Sequence, residues 1–101
     1  VYDADNSPFD TSGNSDDPMV ATISCPANGI ILGSCTMNGS AGITTAWTNL
    51  TEKYDQVVEG SQSQSGAFAT FAAAQTDLSI TSDPSSAASR KAMALAAWGP
   101  A

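Results

Sequence analysis

The sequence predicts an all-β sandwich of about six to eight short antiparallel strands, preceded by an extended acidic arm. Three observations predict it. Runs of four to eight residues rich in Thr, Val, Ile and aromatics recur after residue 18, several of them alternating apolar and polar with a period of two. Clusters of Gly, Asn, Ser and Asp separate those runs at regular intervals, as strand-ending turns do. Only 13% of the residues are charged while 42% are apolar, so the surface is built largely from hydroxyls and small side chains around a sufficient core. At 101 residues, one domain is expected.

In chain order, residues 1–18 hold turn formers and acids with no sustained periodicity, which predicts an extended arm rather than part of the sandwich over 19–101. In "MVATISC", Met19, Ala21, Ile23 and Cys25 alternate with Val20, Thr22 and Ser24, the pattern of a half-buried strand. "GIILGSCTM" is apolar on both faces, as in a strand interior to a sheet. "NGSAG" is a turn, and "ITTAWTNL" and "TEKYDQVV" suit a pleated surface. "EGSQSQSG" is expected as a polar loop, "AFATFAA" as the next strand and "DLSIT" as one more.

The closing stretch "DPSSAASRKAMALAAWGPA" carries conflicting signals. Asp83-Pro84 and Gly99-Pro100 are helix start and stop signals, with the best helix former between them. Against a helix, Arg90 and Lys91 precede the apolar part instead of ending it, and Lys91 falls one turn before Leu95 on the face to be buried. Met93 and Leu95 diverge by about 200° on a helix but share one face of a strand. The spacing therefore favours a strand. Because alanine is a poor strand former, that strand should be central, paired on both sides.

Asn28-Gly29 is the strongest short hairpin signal in the chain and predicts that the flanking segments pair. A two-residue loop there sets Cys25 and Cys35 on opposite faces of the ribbon. A three-residue loop leaves them about 13 Å apart. Neither fits a disulfide, so two free, mostly buried thiols are expected. Two cysteines without a histidine cannot close a zinc site.

The net charge of −7 is concentrated at the start, where Asp3, Asp5, Asp10, Asp16 and Asp17 stand with no basic residue. Lys53, Arg90 and Lys91 are the chain's only cations, too few to follow a phosphate backbone or an anionic membrane surface. The sequence has no apolar run near 18 residues and no recognisable signal peptide. It begins at Val1 rather than Met, as a processed product or a fragment lacking N-terminal strands would.

The order "NGIILGS", "WTNLTEKYD", a Ser/Gln/Gly segment, "SGAFATFA" and "LSITSDPSSAASRKAMALAAW" resembles the C-terminal half of jelly-roll-like modules of tailed-bacteriophage virions and environmental bacterial surface proteins. The likeness covers roughly residues 19–101 and includes no catalytic signature. It implies a jelly-roll-like β-sandwich whose closing Ala-rich segment is a strand. It also implies a decoration, fibre or appendage role. Such modules carry further strands before the position of Met19, so strands donated by another chain are one way to complete this one.

Candidate chemistry is sparse. Without histidine, Ser-His-Asp and Cys-His arrangements are impossible. Glu52, Asp55 and Glu59 could supply paired carboxylates, but a solvated strand face explains them better. Asp3, Asp5, Asn6 and Asp10 invite a calcium loop. The EF-hand pattern fails, with Pro8 at the glycine position and Asn14 at the closing glutamate. Trp47, Tyr54 and Trp98 could stack on sugars, though aromatics at strand spacing are more often packing residues. Asn38-Gly39-Ser40 and Asn49-Leu50-Thr51 match the N-glycosylation pattern, which matters only in a eukaryotic secretory host. No catalytic, cofactor or metal residue is assigned. The expected function is that of a non-enzymatic structural subunit of a virion or extracellular assembly, such as a phage capsid decoration or tail-appendage protein. It would partner other protein subunits and form a homo-oligomer, without nucleic acid or membrane. The alternatives are a carbohydrate- or receptor-binding adhesin module and a subunit of a bacterial surface filament joined by strand donation.

Overall fold

The computed structural model describes residues 1–7, 9–10, 17–39 and 42–100, with residues 9 and 10 described by their backbone alone. Among the described residues there is no helix, and the strands are β1 (Asp3–Asp5), β2 (Phe9–Asp10), β3 (Met19–Cys25), β4 (Gly29–Gly39), β5 (Thr45–Thr48), β6 (Thr51–Glu59), β7 (Gln62–Phe71), β8 (Gln75–Pro84) and β9 (Ala88–Trp98). A large sheet in the order β1-β9-β4-β7-β6, with β2 also on β9, faces a small sheet in the order β3-β8-β5. Every pair is antiparallel.

With β1 and β2 counted as one interrupted strand, the first strand pairs with the last, the second with the next to last, and the third with the last and the sixth. This nested winding is that of a jelly roll. The departure is β6, which pairs with β7 across the Gly60-Ser61 turn instead of with β5.

The core follows from the period-two pattern. Met19, Ala21, Ile23 and Cys25 point inward from β3, and Ile31, Cys35 and Met37 from β4. Met93, Leu95 and Ala97 do so from β9, opposite Ile80 of β8. Ile23, Ile31 and Ile80 are among the most completely buried side chains, each stabilising the fold by about 1.5–3 kcal/mol. Lys91 shares the inward parity of Met93 and is also buried, its Nζ donating to the backbone carbonyl of Asp17. A buried Lys91 is thus common to the helix and strand readings and does not separate them; the Met93–Leu95 spacing does.

The Ala-rich segment is the strand β9, lying centrally between β4 and β1, both in this chain. The arm is accordingly more than an unpaired extension: Asp3–Asp5 and Phe9–Asp10 occupy the place beside β9 that the sequence left open to a second chain. Residues 8 and 11–16 of that arm lie outside the described residues.

Two local expectations are corrected. The Asn28-Gly29 turn is not a hairpin but an arch between sheets, since β3 pairs with β8 while β4 pairs with β7 and β9. Asn28 supplies a left-handed residue with φ of 59°, and Gly29 donates its N–H to the Pro26 carbonyl at 3.0 Å. Gly29 is required by proximity: a Cβ there would stand 2.7 Å from both Cys25 Sγ and the Trp98 carbonyl oxygen. Turn chemistry set the bend, but the apolar inner faces of both strands decided that they should enclose a core. Of the expected polar loop over "EGSQSQSG", only Gly60 and Ser61 form a turn; from Gln62 the chain is strand β7, with Ser63 and Ser65 turned inward and Gln62 and Gln64 outward. Its period was two, masked by the polarity of both faces.

Candidate functional site

Trp47 Nε1 donates to Ser65 Oγ at 2.8 Å, and Ser65 Oγ donates to the Tyr54 carbonyl at 3.0 Å, tying the small sheet to the large one. Cys25 and Cys35 are both free and buried. Burial pushes the Cys35 thiol up, with its 3.4 Å contact to Thr45 Oγ1 acting the other way. A thiol held protonated inside a core is a packing group, not a nucleophile.

The carboxylates singled out in the sequence are spread apart by the fold. A bulge at Lys53 shifts the register of β6 so that Asp55 turns toward the small sheet, opposite Ser65. There its Oδ2 accepts from the Thr45 N–H at 2.6 Å, which corrects the expectation of a solvated Asp55. Glu52 and Glu59 remain exposed at either end of the strand. Asp3 Oδ2 accepts from the Ser24 N–H at 2.7 Å on the opposite side of the sandwich. Asp5 Oδ1 accepts from the Ser7 N–H at 2.8 Å, and the Ser7 hydroxyl first and that amide second hold its carboxyl below the usual carboxylate range. Among the described residues no three His, Cys, Asp or Glu side chains gather as a metal site would require.

The three aromatics are likewise not brought together. Trp47 lies between the sheets. Tyr54 and Trp98 are exposed on the outer face of the large sheet, three strands and four residues apart, roughly 20 Å by strand spacing and rise. They cannot share one sugar ring.

That outer face is the unusual surface of the molecule. Leu32 is 42% exposed and Tyr54 45%, beside the outward column Ala92, Ala94 and Ala96 of β9. Between them runs an open groove of about 430 Å³, floored by Ser34, Gly66 and Ala94 and walled by Leu32, Phe68 and Tyr54. Tyr54 packs directly against Gly66, where a Cβ would come within 2.3 Å of its ring, so glycine leaves the room the aromatic occupies. Lys53 Nζ sits 4.5 Å from the centroid of Phe68.

No match is found among protein-family models, curated proteins or solved structures.

Charge sharpens the point. In a chain of net charge −7, the outward positions of β9, β4, β7 and β6 include one acid, Glu59, at a corner. Asp3 and Asp5 of β1 and Asp55 of β6 share the register of inward positions, and Asp77 and Asp83 belong to the small sheet. The sequence does not reveal this face, because "GIILGSCTM", apolar on both sides, reads as a strand interior to a sheet whether or not its outer side is covered. The usable signal was the pair of doubly apolar strands, β4 and β9, which carry Leu32 and the column Ala92, Ala94 and Ala96 on their outer side.

Proposed function

We propose that this protein is a non-enzymatic structural subunit of an extracellular or virion assembly, and that it joins its neighbours through the outer face of the large sheet. The observation that carries the proposal is the exposed apolar groove between Leu32, Tyr54 and Ala94 on a nearly acid-free face of an acidic chain. Contiguous exposed apolar surface marks contact sites, and like-charged subunits associate best where their acids are absent. The lack of histidine and the separation of the carboxylates support a role in packing over one in catalysis.

The edges of the large sheet favour face contact over strand donation. β6 carries two bulges, at Lys53 and Val58, and the opposite edge is made of the very short, interrupted strands β1 and β2. Both devices discourage the addition of a further strand. The test is co-sedimentation of the tagged chain with assembled particles or filaments from its own host. The wild type should pellet with them, and Leu32→Lys or Ala94→Glu should release it. Saturable binding of a glycan, lost in Tyr54→Ala, with no particle association would replace this proposal with the adhesin alternative.

A further inference from the structure

We propose that the outer face of the large sheet is self-complementary and joins two copies of the chain about a twofold axis running parallel to the strands, between β4 and β7. The inference rests on that face being the contact surface and adds its occupant.

The register arranges the outward residues in rows across β9, β4, β7 and β6. One row reads Arg90, Asn38, Gln62 and Glu59, with a cation at one end and the face's lone acid at the other. Another reads Ala94, Ser34, Gly66 and Tyr54, small residues at one end and a large one at the other. In a third, Leu32 and Phe68 are the two central residues.

An axis along the strands keeps each row and reverses it. Arg90 of one copy then meets Glu59 of the second, Tyr54 settles over the second copy's Ala94, and Leu32 packs on Phe68. Each meeting occurs twice, as an isologous interface requires. An axis across the strands would instead set β6 on β6 and β9 on β9. With that axis along the Ala94–Tyr54 row, Tyr54 stacks against its own copy and the alanine columns face each other across a gap. A twisted sheet also maps onto itself under rotation about its strand direction, so two copies nest without distortion.

The size agrees with a reversible contact. Four strands about 4.8 Å apart and four rows about 6.8 Å apart make a patch of roughly 500 Å² per copy. The pair buries about 1,000 Å², the lower bound for specific association. The result is a dimer that forms with rising concentration rather than an obligate one.

The experiment is sedimentation velocity on the full chain from about 1 to 200 μM, with circular dichroism to confirm that each variant keeps its strands. The wild type should pass from monomer to dimer. Arg90→Glu and Glu59→Arg, each placing like charges together twice, should weaken association at least tenfold. The double variant should restore it to within about threefold of wild type, because the swapped pair meets again across the axis. A wild type that stays monomeric throughout, or a double variant no better than the singles, overturns the inference. Release of a monomeric chain from its assembly by Leu32→Lys would leave the contact-face proposal standing while removing this one.

Discussion

The Asp55 carboxylate on β6 of the large sheet accepts a 2.6 Å hydrogen bond from the Thr45 backbone N–H on β5 of the small sheet. Asp3 does the same for Ser24 on the far side, at 2.7 Å. Among the described strands β3 and β5 are the two edges of the small sheet, so their outer amides find no ladder partner there. Both flanks of the sandwich are thus closed by an inward carboxylate from the facing edge. Asp55→Ala should lower stability by about 1–3 kcal/mol, the cost of losing an acceptor with charge assistance. Asp55→Asn should lose less. Urea denaturation measures both, and a change under about 0.5 kcal/mol would show that the flank is not held this way.

Ser82 presents the opposite case. Its hydroxyl is buried without a hydrogen-bond partner. Ser82→Ala should therefore raise stability by about 1 kcal/mol, since it removes an unsatisfied polar group at little cost in volume. A lower urea midpoint for the variant would contradict this.

Stability should fall on the alkaline side. The folded Cys35 thiol is raised by burial above its unfolded value, so its contribution is complete below the unfolded pKa of about 8.5 and is lost as pH rises toward the folded one. The unfolding free energy should be level near neutrality and decline above about pH 8.5. Cys35→Ala should flatten part of that slope, whatever it does to the absolute value. An unchanged slope would remove Cys35 as the cause.

Gly66→Ala should disturb the outer face more than the core. The added methyl would stand 2.3 Å from the Tyr54 ring and must displace it from its seat. Association through the groove should weaken while the circular dichroism spectrum is kept. Normal association with a native spectrum would show that the placement of Tyr54 does not matter to the contact.

The sequence carried the fold further than the site. Alternation in "MVATISC" and the Met93–Leu95 spacing led to β3 and β9, and the central place of β9 followed from its alanines. The arch at Asn28-Gly29 was hidden because a left-handed turn residue serves hairpins and arches alike. The first half of β7, residues 62–66, was hidden because buried serines do not register as apolar, while its second half is the strand expected over "AFATFAA". Pairing of Asp3–Asp5 with β9 is a long-range contact of a segment with no periodicity of its own. The outer face depends on register across four strands, which no local pattern records.

Oxidative footprinting of the aromatic side chains tests the central claim most directly. As the chain associates, with itself or within its assembly, Tyr54 and Phe68 on the outer face should become protected. Tyr2, exposed at the chain start, should keep its reactivity. Tyr54 and Phe68 oxidised equally in the free and associated protein would contradict the account.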